Sequence, residues 1–144
     1  MAITFHPQPG QILLCDFSQG FKEPEMVKSK RPVVVLTGAI KGRSNLVTIV
    51  PLSTVPPKEV MPYHYKILKN SLPMARSFQE SDSWVKGDML YTVAFHRLEL
   101  IQLGTKDANG KRMYFKNRLG NDQMKKIYGC VLEGLNLTAL IKYL

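Results

Sequence analysis

The sequence predicts a mainly β domain, a small twisted barrel or half-barrel of short strands with one or two helices packed on it at the C-terminal end. Three observations carry this. The apolar stretches up to about residue 93 are short and bounded by glycine, proline or polar clusters, as strands are. From Met124 onward the apolar spacing changes to the period of a helix. At 144 residues the chain fits one domain with a single core, residues 1–144.

In order, residues 11–17 follow Pro9-Gly10 and read as a first strand. Residues 18–30 hold Gly20, Pro24 and alternating charges, a loop of a length that is usually functional or mobile. Residues 32–37 and 46–50 are strands joined by "GAIKGRSN", a hairpin-like connection with two glycines. The proline-rich stretch from Pro51 to Pro62 interrupts regular structure, and residues 63–68 alternate as an edge strand does. Residues 71–82 are polar and irregular. Residues 84–86 and 89–93 are β segments flanking Gly87-Asp88, and residues 94–98 form a short helical turn. Met124, Ile127, Tyr128, Val131, Leu132 and Leu135 then mark one helix face. Asn121 or Asp122 is placed to cap its start and Gly134 to end it. Leu137, Leu140, Ile141 and Leu144 repeat the spacing over a second short helix with Asn136 as its cap, and both stripes read as core contacts.

Charge narrows the partners. Twenty Lys and Arg stand against eleven Asp and Glu, a formal net charge of +9, so an anionic partner such as nucleic acid or an acidic protein is expected. No apolar run approaches the roughly 20 residues of a spanning helix, so no membrane role is expected. The N-terminus lacks the basic start and apolar core of a secretory signal, which makes a cytoplasmic location the default. Cys15 and Cys130 both lie in apolar patterns and read as reduced core residues. His6, His64 and His96 are scattered without metal-ligand spacing, so no metal site is expected.

The richest stretch runs from Glu23 to Thr54. Arg31 sits at the mouth of the apolar strand Val33-Val34-Val35-Leu36, and Pro32 biases it toward extended backbone. The strand from Leu46 ends at Pro51-Leu52-Ser53-Thr54, bringing two hydroxyls to another strand end. If the two strands pair, a fixed cation and a hydroxyl share one sheet rim and can hold a phosphate. The alternative reading is a solvated strand-start cation beside an ordinary turn.

In order, "PGQILLCDF", the charged loop, "KRPVVVLT", "VTIVPLST" and "WVKGDMLYTV" followed by "HRL" resemble the blocks of the MazF/PemK (Kid) family of bacterial toxins, over roughly residues 9 to 98. The resemblance implies an SH3-like barrel of the MazF/PemK/CcdB kind and a homodimer. It implies a metal-independent endoribonuclease, with no cofactor, that cuts single-stranded RNA. It also implies an antitoxin partner that covers the RNA groove, and DNA binding as the antitoxin complex. Arg31 matches the catalytic arginine of the family. Aligned on Pro51, the catalytic threonine falls on Ser53, with Thr54 one position beyond. The family's acid-base Arg and Asp, two residues apart, fall on Lys86 and Asp88, and its loop glutamate is assigned to Glu25 in preference to Glu23. Lys28, Lys30, Lys86 and Arg97 are expected along the RNA path, Arg97 in a structural or electrostatic role.

These residue types suit the chemistry. Metal-free RNA cleavage uses the 2′-OH of the substrate as nucleophile, so the protein must help move protons and stabilise a dianionic phosphorane-like transition state. A guanidinium meets two phosphate oxygens with a planar fork and a permanent charge. Serine for threonine keeps the same donor and acceptor, whereas lysine for arginine loses the fork. Residues 104–126 carry seven basic side chains interleaved with Tyr114 and Phe115, either an RNA-contacting stretch or a solvated hairpin. Two other functions stay open: a protein-binding toxin of the CcdB type that inhibits gyrase, and a nucleic-acid-binding module without catalysis.

Overall fold

The computed structural model describes residues 1–26 and 29–144. Val27 and Lys28 lie outside the described residues, and with them the expectation placed on Lys28.

Among the described residues the β elements are β1 (Ile12–Asp16), β2 (Lys30–Val35), β3 (Leu46–Ser53), β4 (His64–Ile67), β5 (Ser83–Lys86), β6 (Tyr91–Ala94), β7 (Leu98–Leu100), β8 (Gln102–Lys106) and β9 (Arg112–Tyr114). A one-turn helix α1 (Arg76–Gln79) precedes β5, and the long helix α2 (Asn121–Gly134) follows β9. Seven strands make one antiparallel sheet in the order β4-β5-β3-β2-β1-β7, with β6 paired to the first half of β3. The mainly β fold with a C-terminal helix is therefore as expected.

β3 organises the sheet. Along one edge it pairs with β2 in the register Val33↔Pro51, Val34↔Val50, Val35↔Ile49. Its start pairs with β6 and its end, Leu52 and Ser53, with β5. The strand thus runs through the prolyl residue at which regular structure was expected to stop. Pro51 lacks only the donor that the ladder would use at that one position.

Alternation along the strands divides the apolar side chains between two cores. One core, under α2, gathers Ile12, Val34, Val50, Leu52, Ile67, Val85, Met124, Ile127 and Val131. The other, on the opposite face, gathers Leu13, Cys15, Phe17, Met26, Val33, Val35, Val47, Ile49, Val93 and Leu98. This second core also roots the charged loop. Phe17, Phe21 and Tyr91 stack edge to face or tilted with centroids 5.1–5.4 Å apart, and the Met26 N–H donates to the Tyr91 hydroxyl at 3.1 Å.

Four local expectations change. The residue capping α2 is Gly120, not Asn121 or Asp122, and its N–H donates to the Gln123 side chain at 3.2 Å. The last segment, Thr138–Tyr143, is 3-10 rather than α-helical; Asn136 takes a left-handed turn (φ 59°) instead of capping it. Leu135, Leu137, Leu140 and Leu144 are exposed, so that stripe is surface and not core. Residues 98–114 hold three strands not expected individually, including the basic hairpin β8–β9. Both cysteines are free and buried, as read from their apolar settings.

Candidate active site

Arg31 lies one residue inside β2, opposite Cys15 on β1. It shares its face with Val33 and Val35, the face turned away from α2. The register of β2 with β3 continues past Val33↔Pro51 to bring Arg31 level with Ser53, and odd-numbered positions of β3 (Val47, Ile49) face the same way. The cation and the hydroxyl are therefore neighbours on adjacent strands, on one face. The guanidinium Nε of Arg31 is buried and has no hydrogen-bond partner among the described residues.

Ser53 is 3% exposed. Its Oγ accepts the Val55 N–H at 3.2 Å, which leaves the hydroxyl hydrogen free to donate. Thr54 lies beyond the end of β3 and is exposed. Of the two hydroxyls, Ser53 is the one that the sheet places beside Arg31.

The face continues outward. Ser53 pairs with Trp84 on β5, and Trp84 pairs with Lys66 on β4, whose Nζ sits 5.9 Å from the indole ring centre. Lys86 and His64 form the next cross-strand pair on that side. His64 Nδ1 accepts the Met61 N–H at 3.0 Å, so the neutral ring carries its proton on Nε2. The opposite side chains of these two strands, Val85, Ile67 and Tyr65, pack under α2. The other face of β4 and β5 presents Trp84, Lys66, Lys86 and His64, with half-buried Arg31 and buried Ser53 at its edge. No ion pair among the described residues engages Arg31, Lys66 or Lys86.

Asp88 departs from its expected placement. β5 ends at Lys86, and the chain turns through Gly87-Asp88 with the Met89 N–H donating to Lys86 O at 3.1 Å. Strand alternation therefore does not fix Lys86 and Asp88 on one side; Asp88 is exposed on a turn. That turn is clamped by α2, because a Cβ at Gly134 would come within 2.6 Å of Gly87 O and one at Gly87 within 2.6 Å of the Cys130 backbone. Glu25 is exposed in a turn whose N–H donates to Lys22 O at 2.7 Å, and no hydrogen bond among the described residues ties its carboxylate to Arg31.

Lys30 and Arg97 are engaged elsewhere. Lys30 faces the opposite side from Arg31 and pairs with Glu99 at 2.8 Å. That hydrogen bond raises the lysine pKa and holds the Glu99 carboxyl below its ordinary range. Arg97 donates to Asp16 O at 3.0 Å and lies 5.0 Å from the Phe21 ring centre, bracing the loop root. Both line a hollow of about 100 Å³ with Asp16, His96 and Glu99, on the side of β1 and β2 away from Arg31. The hollow thus holds side chains that are already paired, whereas Arg31 stands on the opposite face of β2. His64, Lys66 and Trp84 are the site residues that sequence reasoning missed. The alternation of "HYKI" against "SWVK" was the available signal, but only the pairing of β4 with β5 turns it into a shared surface.

A family model described as PemK-like, MazF-like toxin of type II toxin-antitoxin system matches residues 8–131. Protein YifN of Escherichia coli (strain K12) is 30% identical over 98% of this chain and 99% of its own length. Among solved structures, MazF from Deinococcus radiodurans superposes with a TM-score of 0.59 at 14% identity, covering 92% of this chain and 99% of its own. A mycobacterial endoribonuclease in complex with its cognate antitoxin gives 0.56 at 18% identity, covering 91% and 96%.

Proposed function

Because the chain belongs to the PemK-like, MazF-like toxins of type II toxin-antitoxin systems, we propose that it is an endoribonuclease that cuts single-stranded RNA without a metal ion and is restrained by a cognate antitoxin. The observation that carries this reading is the placing of Arg31 beside Ser53 on one face of the sheet, with the arginine Nε unpartnered among the described residues.

In the proposed reaction the 2′-oxygen of the substrate attacks the adjacent phosphorus and gives up its proton. The bond from phosphorus to the 5′-oxygen breaks, and that oxygen takes a proton. The products are a 2′,3′-cyclic phosphate and a 5′-OH end. The Arg31 guanidinium holds the non-bridging oxygens as their charge grows, and the Ser53 hydroxyl supplies a second donor. Proton movement falls to Lys86 and Asp88 at the end of β5, with His64 opposite Lys86 as a further group of suitable chemistry. Glu25 enters only if its loop folds over the arginine. The partner in the cell is an antitoxin whose acidic segment covers the same face, and the working unit is a homodimer.

Incubating the purified protein with a single-stranded RNA in EDTA tests the reading. Cleavage with cyclic-phosphate ends is expected, and Arg31→Ala should abolish it while changing stability by no more than about 1 kcal/mol, as for other surface strand positions. Arg31→Lys should rescue poorly, since a point charge cannot replace the fork. An Arg31→Ala protein that cuts at the parent rate sinks the assignment. Intact RNA under tight binding would favour the non-catalytic binding module. No RNA binding together with gyrase inhibition would favour the CcdB-type reading, which the Arg31 and Ser53 pairing argues against.

A further inference from the structure

The open half of the sheet holds two side chains that the proposed chemistry does not use, Trp84 and Lys66. Trp84 is the single tryptophan of the chain. It is half-buried at the centre of a row running across adjacent strands from Arg31 through Ser53 and Trp84 to Lys66. Alternation turns the indole away from Val85 and α2, and it belongs to neither of the two apolar cores. There its neighbours are a buried serine and a lysine whose ammonium stands 5.9 Å from the ring centre. Adjacent strands are about 4.8 Å apart, so Trp84, two strands from Arg31, lies roughly 10 Å from it along the row.

We infer that Trp84 is a base-stacking platform that sets the register of the RNA, receiving the base one or two nucleotides from the phosphate held at Arg31, with Lys66 tracking the next phosphate. The inference rests on the single-stranded RNA reading given above. The physical argument is that every base offers a π face, so an aromatic side chain flanked by unpaired cations binds single strands through stacking and charge together. A fixed ring at a fixed distance from the reacting phosphate also limits which bond can reach Arg31. An acidic peptide could lie on the same cations, but it gains nothing from the indole face, whereas a base does.

The single tryptophan makes the test direct. A 2′-O-methyl RNA oligonucleotide, which cannot be cleaved, is titrated against the intact protein while intrinsic fluorescence and the anisotropy of a label on the RNA are both followed. The expected result is saturating quenching with the same midpoint as the anisotropy. Trp84→Leu should weaken binding about 5- to 150-fold, the range implied by the usual worth of one stacked base, and Trp84→Phe by less. An abasic site scanned along the oligonucleotide should reproduce that loss at one position and cost nothing further there in Trp84→Leu. A merely structural role for the indole would not produce that non-additivity. Binding seen by anisotropy without quenching, or Trp84→Leu binding as tightly as the parent, overturns the platform and leaves the RNA reading intact. Failure of the parent to bind any single strand removes the RNA reading itself, and the platform with it. A Trp84→Leu defect confined to antitoxin binding, with RNA affinity unchanged, likewise overturns it.

Discussion

Ser53 and Thr54 show how finely a hydroxyl can be sorted by one residue of register. Both carry an Oγ hydroxyl on Cβ, but β3 continues through Pro51 and Leu52 to Ser53, and the face it shares with Arg31 is fixed by the Val33↔Pro51 pairing. Ser53→Ala should therefore slow cleavage by about 10²-fold or more, the loss typical of one transition-state donor. Thr54→Ala should leave the rate within a few-fold and cost at most about 1 kcal/mol of stability. Single-turnover rates on one oligonucleotide decide it, and an inactive Thr54→Ala beside a normal Ser53→Ala would shift the register by one. The cysteines lend themselves to a different residue-scale test. Burial pushes the Cys15 thiol up to about 12 and the Cys130 thiol to about 11, from 9.0. The folded state then keeps protons that the unfolded state releases, so stability is fully present below pH 9 and declines as pH rises through 9 toward the folded values. Native protein should resist thiol reagents at pH 8 and react on unfolding. Its unfolding free energy should fall more steeply between pH 8.5 and 10, in a denaturant series, than that of a Cys15→Ala/Cys130→Ala variant.

At the scale of elements, the contact that matters most for the site is between α2 and the turn after β5. Gly87 and Gly134 let helix and turn approach so closely that either Cβ would meet backbone at 2.6 Å. Lys86 ends β5 immediately before that turn and Asp88 lies within it, so helix packing sets where both begin. Gly134→Ala should cost about 1–3 kcal/mol, as overpacking does, measurable by urea denaturation. It should also lower cleavage under conditions where the variant remains folded, because the turn that carries Asp88 must move. Unchanged activity in a fully folded Gly134→Ala would show that Asp88 has no part in the chemistry. The charged loop is the contrasting element. Its root is fixed by Phe17, Phe21, Tyr91 and the Arg97 guanidinium, while Glu23 and Glu25 stand exposed beyond it.

For the molecule as a whole, the two faces of one sheet have separate tasks. The α2 side and the loop-root side of the central strands are filled with apolar cores, whereas the open face of β4 and β5 carries cations without acidic partners among the described residues. With a net charge of +9, RNA affinity should fall steeply with salt, with a slope of about 0.7 per phosphate contacted. A flat response between about 50 and 500 mM salt, over which the Debye length shrinks roughly threefold, would argue against a phosphate-tracking face. An acidic antitoxin segment should compete with RNA, and a ternary complex would contradict a shared surface.

Much of this was legible in the sequence because local patterns carry it. Short apolar runs with glycine and proline between them produced β1 to β6 nearly where the pattern put them, and the 3.6 spacing from Met124 produced α2. Arg31 before a buried strand and Ser53 after Pro51 were readable for the same reason, since strand entry and strand end are local facts. Only the tertiary structure decided which of these residues face one another. β3 exchanges β6 for β5 along its length, and that non-local pairing puts Trp84, Lys66, Lys86 and His64 on the face of Arg31. The turn that α2 packs against took Asp88 off the strand, and alternation along β2 set Lys30 on the face opposite Arg31, where it meets Glu99. Side-chain direction along a strand is set by a period of two that the sequence displays; which strand lies alongside, and which face a helix covers, are set by burial of the whole core.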